Sequence, residues 1–262
     1  MPMPAAASAG RDKFDGWFVA GGVEKAVAEH ATLGVGVSYS DLSGDTGGAP
    51  QQVGSRFINF NFYGSVGNGK GLVFDARLGL GHRTSDSTRS VSLLTTPYTL
   101  TAKDHGSVIS GELGLGAEMA AGRNFSITPR ASLRYGWVGF GNVVETGGPM
   151  ALTIDRSNVE ALEGRLGLSI NGKPGSRIRP YMEANYVHDF LDQPGTFAAR
   201  FTGGTAYAPF ALAASDNDWG EVSGGIAIDL GPRAEIALEA DTTVLRSDFQ
   251  NQSYRAKISF SF

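Results

Sequence analysis

The chain has 262 residues, a formal net charge of -4, 37 glycines and no cysteine. Without thiols there is no disulfide framework and no thiolate metal site, and mild acidity gives no basic footprint for nucleic acid. No apolar run approaches the roughly 20 residues of a spanning helix, which excludes a helical membrane protein but not a membrane barrel, whose strands carry only alternation.

Residues 1–13 lack the basic and apolar regions of a signal peptide and are expected to be a leader or a linker remnant, with one β domain over 14–262. From there a period of two recurs in chain order, apolar residues on one face and polar or small ones on the other. A first, weaker strand is expected in "DGWFVAGGVEKA". It is followed by Leu33, Val35, Val37 and Tyr39 against Gly34, Gly36 and Ser38, then by Ile58, Phe60 and Phe62 against Asn59, Asn61 and Tyr63. "LVFDARLGLG" opposes Leu72, Phe74, Leu78 and Leu80 to Asp75 and Arg77, and "SGELGLGAEM" opposes Leu113, Leu115 and Met119 to Glu112 and Glu118. "FSITPRASLRYGW" sets Ile127, Leu133, Tyr135 and Trp137 against Arg130 and Arg134, and "EGRLGLSI" sets Leu166, Leu168 and Ile170 against Glu163 and Arg165. "RIRPYMEANY" sets Ile178, Met182 and Tyr186 against Arg179 and Glu183, and "EVSGGIAIDL" sets Ile226, Ile228 and Leu230 against Glu221 and Asp229. "RAEIALEADTTV" opposes Ile236 and Leu238 to Glu239 and Asp241. The terminal "SYRAKISFSF" opposes Tyr254, Ile258, Phe260 and Phe262 to Arg255 and Lys257.

These are about eleven strands, most near the roughly 9–11 residues that cross a bilayer. Short connections are expected near 27–30, 67–71, 120–124, 171–176 and 231–233, and long polar loops near 41–55, 83–107, 141–161, 191–218 and 246–253. Short turns at one end and long loops at the other describe an all-β, antiparallel, up-and-down transmembrane barrel. A soluble sheet with one wet face would also alternate, but its strands would be shorter and its connections less regular. Aromatics at the strand ends are expected to form girdles at headgroup level, with Tyr39, Trp137, Phe190 and Trp219 at the long-loop rim.

The polar face is expected to line the lumen through Asp75, Arg77, Glu112, Glu118, Arg130, Arg134, Arg165, Arg179, Glu183, Glu239, Asp241 and Lys257. Both signs are present, which suggests a hydrated, salt-bridged wall rather than an ion-selective one. No catalytic residue, metal site or cofactor is expected. The four histidines are His30, His82, His105 and His188, and only His188 with Asp189, Asp216 and Asp218 could be imagined as an enzyme mouth. There is no G-x-S-x-G, H-E-x-x-H or phosphate loop.

An apolar terminal strand ending in an aromatic, through Tyr254, Ile258, Phe260 and Phe262, resembles the end signal by which the barrel assembly machinery takes up its substrates. The whole order of features resembles the autotransporter β-domain, the translocator barrel of type V secretion. "VAGGVEKAVAEHATLGVGVSYSD", "FNFYGSV", "SITPRASLRYGWVGF", "RIRPYMEANYVHDF" and the aromatic end carry it, with Pro129 and Pro180 in matching places. The resemblance implies twelve strands, an outer-membrane location in a Gram-negative bacterium, and lipid, the assembly machinery and a passenger polypeptide as partners, with no nucleic acid. Such a barrel, with strands about 4.8 Å apart and tilted about 40°, has a backbone radius of roughly 12 Å and passes a helix or an extended hairpin but no folded domain. "FVAGGVEKA" corresponds to the second strand of that pattern, so the first strand, the plug helix and the passenger are expected to lie outside this chain. A small outer-membrane pore, a surface-binding barrel and a barrel enzyme are the alternatives.

Overall fold

The computed structural model describes residues 10–47, 51–173, 175–191, 195–211, 215–231, 233–248 and 250–261. Phe262, on which part of the end-signal reading rests, lies outside the described residues. The strands in chain order are β1 (Gly10–Ala28), β2 (Ala31–Gly47), β3 (Gln51–Gly67), β4 (Leu72–Leu93), β5 (Thr96–Ala117), β6 (Met119–Ala121), β7 (Phe125–Phe140) and β8 (Val143–Val144). They continue with β9 (Leu152–Arg156), β10 (Val159–Gly172), β11 (Ile178–Asp189), β12 (Thr196–Phe201), β13 (Ala208–Ala211), β14 (Asp218–Gly231), β15 (Ala234–Val244) and β16 (Gln252–Phe260).

One curled antiparallel sheet runs β1-β2-β3-β4-β5-β7-β10-β11-β14-β15-β16, each strand pairing with the next long one in sequence. That meander follows from the short turns, which leave no chain for a crossover. β6 is a continuation of β5 past Glu118, since Leu115↔Ala131 and Met119↔Ile127 keep one register on β7. Among the described residues no ladder joins β1 to β16, so each outer strand has one partner.

The sheet is inside out by the standard of a water-soluble protein. Leu113 and Leu115 are each 54% exposed, whereas the side chain of Glu112 beside them is 12% exposed. The same inversion runs through β3, β4, β7, β10 and β11, where apolar residues are exposed and the polar ones between them partly covered. Only an apolar solvent on the convex side rewards this pattern. From Phe125 to Trp137 the outward residues of β7 span about 40 Å along the strand, or about 30 Å of height at a tilt of about 40°, the thickness of a hydrocarbon core.

Four expectations are corrected. Residues 41–55 and 83–107 are not open loops: β2 and β3 continue almost to meet, and β4 and β5 pair to Leu93↔Thr96 around a two-residue turn. Polar sequence does not forbid a strand in water, and two long antiparallel neighbours satisfy each other's backbone groups. The left-handed Leu94, with φ of 56°, closes that hairpin. Residues 141–158 and 191–217 hold a second sheet of order β13-β12-β9-β8 rather than irregular loop. β1 begins inside the stretch 1–13 expected as a leader or linker remnant, because Gly10 and Lys13 already pair with Gly47 and Asp45 on the extended β2. Trp219 does not belong to the outer girdle, for the reason given next.

Candidate functional site

Alternation places Asp75, Glu112, Arg130, Arg134, Glu163, Arg165 and Glu221 on the inner face of successive strands, and the registers bring them into one row. Glu112 faces Arg134 across β5 and β7, and Arg134 faces Glu163 across β7 and β10. Arg130 donates to Asp75 through Nη1 and Nη2 at 2.6 Å each, and its Nη2 reaches Glu112 Oε1 at 3.1 Å. Arg134 lies 3.2 Å from Glu112 and 3.8 Å from Glu163, Arg165 donates to Glu163 at 3.0 Å, and Arg165 also binds Glu221. The result is an alternating ladder across β4, β5, β7, β10 and β14. Gly114 makes its first rung possible: a Cβ there would overlap the Arg130 guanidinium and stand 2.7 Å from Asp75 Oδ2.

Two shorter groups continue the row. Arg179 donates to Asp229 at 2.7 Å and binds Glu235. Arg255 donates to Asp241 at 2.7 Å and binds Glu239, which also accepts from Tyr181 Oη at 2.8 Å. Among the other expected wall residues, Arg77 sits in register between Tyr63 and Glu112, Glu183 accepts from Asn185 at 2.8 Å, and Lys257 stands opposite Ala237. Glu118 stands exposed at the short-turn rim, its amide bonded to Gly71 O at 2.7 Å. Glu163 and Glu221 belong to the ladder although no special role was expected of them; they share the parity of Arg165 and of Ser223, which is the signal that finds them.

The aromatic residues divide by parity as well. Tyr39 stacks at a tilt on Trp17 with centroids 5.5 Å apart, and Phe190 is 58% exposed. Trp137 is on the outer face, lying over Gly139. Trp219 is 6% exposed, donates from Nε1 to Glu221 at 3.2 Å and carries the Arg246 guanidinium 4.3 Å over its ring. Two residues from Glu221 on one strand, it points inward, next to the fully buried Val187 of β11. On the terminal strand, Tyr254, Ile258 and Phe260 are outward and well exposed.

Above the apolar band lies a second polar cluster. On the outer face of β5 the last large apolar residue is Ile109; Ser107, His105, Lys103 and Thr101 follow, so Asp104 stands beyond the band. Asp104 takes an ion pair from Arg83 of β4 and another, at 2.6 Å, from Arg156 of β9. The ring of Phe140 is in contact with both guanidiniums, 4.9 Å from Arg83 and 4.6 Å from Arg156. Nearby, Arg89 of β4 holds Glu145 at 2.6 Å, and Glu145 also accepts from the Leu152 amide at 2.9 Å. Leu100, Ala102, Val143 and Ala151 are buried beside these groups.

Burial pushes the Asp104 carboxyl up, but hydrogen bonds and charge from Arg156 and Arg83 outweigh it and hold the group below its ordinary value of 3.8. A depressed carboxylate contributes stability above its unfolded value and loses it as pH falls through the folded one. Amide exchange at Thr101 and Thr146, corrected for intrinsic rate, should therefore be slow and pH-independent above about pH 5 and accelerate below about pH 4. Unchanged protection at pH 3 would count against Asp104 as the group that holds this corner.

The groups imagined as an enzyme mouth are scattered. His188 Nδ1 is 2.8 Å from Asp218 Oδ1 on the outer face, with Tyr186 on the same carboxylate. Asp189 instead accepts from the Leu162 and Leu191 amides, and Asp216 from the amide and hydroxyl of Ser247.

The family model described as Autotransporter beta-domain matches residues 5–241. Among solved structures, the translocator domain of the autotransporter NalP from Neisseria meningitidis superposes with a TM-score of 0.78 at 13% identity, covering 96% of this chain and 82% of that one. The transport unit of the Escherichia coli autotransporter AIDA-I gives 0.60 at 14%, covering 100% and 93%. The β domain of the Bordetella autotransporter Brka gives 0.63 at 14%, covering 96% and 91%. No curated protein sequence matches the chain.

Proposed function

This chain belongs to the autotransporter β-domain family, the translocator barrels of passenger secretion, and on that premise we propose how its residues divide the work. The exposed apolar face is the surface that meets the lipid of a Gram-negative outer membrane. The inner ladder from Asp75 to Glu221, with the groups around Arg179 and Arg255, keeps the wall wet. Because each of these carboxylates is paired with a guanidinium, several of them shared, much of the wall's charge is cancelled locally while it still offers a passing polypeptide hydrogen-bond partners. Tyr254, Ile258 and Phe260, with Phe262, are the residues offered to the assembly machinery. The observation that carries this reading is the inversion of the sheet, apolar residues exposed and charged ones covered.

The test is one of sidedness. The chain has no cysteine, so single replacements report cleanly. Thr88→Cys and Lys103→Cys, on the long β4–β5 hairpin, should react on intact cells with an impermeant thiol reagent. Asn68→Cys and Arg123→Cys, in the short turns, should react only after the outer membrane is permeabilised. The reverse pattern would sink the orientation, and equal labelling of all four would sink the membrane location itself.

A further inference from the structure

We propose that the small sheet β13-β12-β9-β8 is a lid over the outer mouth of the barrel, hinged on one side and latched on the other; this rests on the translocator reading above. Its covalent attachments all lie on one arc: β8 and β9 sit in the connection from β7 to β10, and β12 and β13 in the connection from β11 to β14. Its remaining contacts lie at the flank of that arc next to β7, with β4, β5 and Phe140 of β7. Arg156 of β9 reaches Asp104 of β5, Glu145 holds Arg89 of β4, and Arg89 also donates to Met150 O at 3.3 Å.

Parity says which side of the rim the lid covers. Arg83, Ser85 and Arg89 share the face of Asp75 on β4, Leu100, Ala102 and Asp104 share the face of Glu112 on β5, and Phe140 shares the face of Arg134 on β7. The charged and buried side chains of this contact, Arg83, Arg89, Leu100, Ala102, Asp104 and Phe140, thus belong to the inner face, extended above the membrane band, while at the edge Thr101 meets Thr146 Oγ1 at 3.4 Å from the outer one. A lid resting outside the rim would touch Thr84, Lys103 and His105 instead. The small sheet therefore leans into the path that the inner wall encloses.

The entry of the chain into the lid is built for this turn. Past Gly106↔Phe140, β5 loses β7 as a neighbour, and Thr146 takes the vacated edge by exchanging two backbone hydrogen bonds of 2.9 Å with Thr101. Gly147 follows with φ of 112°, packed so closely on Thr99 O that a side chain would collide. The chain then passes over the inner face to bury Ala151.

The latch is of a kind that can open. Asp104 Oδ1, Arg83 Nε and Arg156 Nε are buried without a hydrogen-bond partner among the described residues. A charged cluster left partly unsatisfied gains hydration when it separates, so opening it forfeits less than parting a well-packed apolar contact of the same area. The apolar part of the contact is confined to Leu100, Ala102, Val143 and Ala151.

Thr101 and Thr146 are directly paired across an antiparallel bridge, a Cα separation of about 5.5 Å that suits a disulfide. The full chain is inserted in planar bilayers, with heat-modifiable gel mobility verifying that each variant has folded and inserted. The doubly neutralised D104N/E145Q should raise the fraction of time spent conducting by about tenfold or more, the change expected on losing one hydrogen bond to a charged group. Adding T101C/T146C to that variant should return it to the closed level when oxidised, and a reductant should restore conduction. If the inserted, oxidised protein conducts like the reduced one, or D104N/E145Q conducts like the parent, there is no lid. If no variant inserts, the translocator reading fails and the lid with it.

Discussion

Replacing Leu78 by arginine should destabilise the barrel by about 2–4 kcal/mol, the cost of that side chain at the bilayer midplane. Leu78 lies on the outer face midway along β4 between Phe74 at one rim and His82 at the other, and it is 45% exposed on the sheet itself. With lipid as its surroundings, the guanidinium has neither water nor a carboxylate within reach. Asn61 supplies the control. It belongs to β3, which pairs with β4 through Asn61↔Gly79 and Phe62↔Leu78, so it is at the same depth but on the inner face. Asn61→Arg should cost well under 1 kcal/mol, because lumen positions tolerate charge. Urea titrations in lipid vesicles should separate the two variants by a roughly 30- to 900-fold difference in folding equilibrium. Equal costs would mean that the two faces are exchanged or that neither meets lipid.

Removing Arg130 should have the second largest effect. It joins Asp75 to Glu112, and Arg130→Ala takes from Asp75 its ion-pair partner among the described residues and leaves Glu112 with Arg134, the two carboxylates having 21% and 12% of their side chains exposed. Hydrogen bonds to charged groups contribute about 1.5–3 kcal/mol each when their partners are left unsatisfied. With the guanidinium itself 30% exposed, solvent screening brings the expected loss to about 2 kcal/mol for the whole rung. Arg130→Lys should recover only part of this, since an ammonium cannot match Asp75 in the two-pronged way and still reach Glu112. The comparison that decides the matter is Arg56→Ala. Arg56 and Asp86 are also 2.6 Å apart but 51% and 41% exposed, and losing that pair should cost about 0–1 kcal/mol. A double-mutant cycle of Arg130→Ala with Glu112→Gln should show coupling of about 1 kcal/mol. If Arg130→Ala is no worse than Arg56→Ala, the ladder is a mere juxtaposition of wall charges and not a brace.

Much of this was legible along the chain, and what was missed was missed for identifiable reasons. The wall residues were found because a strand converts sequence parity directly into a face. The same parity would have placed Trp219 correctly: it lies two residues from Glu221 and so must share its side. Phe140, an even number of residues from Arg134, follows the same rule and ends against two guanidiniums rather than among lipid headgroups. The long β4–β5 hairpin was hidden because above Ile109 the outer face of β5 is polar and its inner face mixes Asp104 with Ala102 and Leu100. No clean alternation there separates a paired strand from a loop.

The sequence by itself determined the long strands of the main sheet, their order, and which side of each is apolar. Those are consequences of a period-two pattern and short turns, which act between neighbours in the chain. Only the tertiary structure decided which carboxylate meets which guanidinium, because every rung of the ladder except Arg165–Glu163, which share one strand, depends on a register between strands whose residues lie 18 to 56 positions apart. It alone decided, too, that 141–158 and 191–217 fold together. Their strands run from two to six residues, too short to carry a pattern, and they hold their shape by pairing with one another and by burying Asp104, Glu145 and Leu100 beneath them.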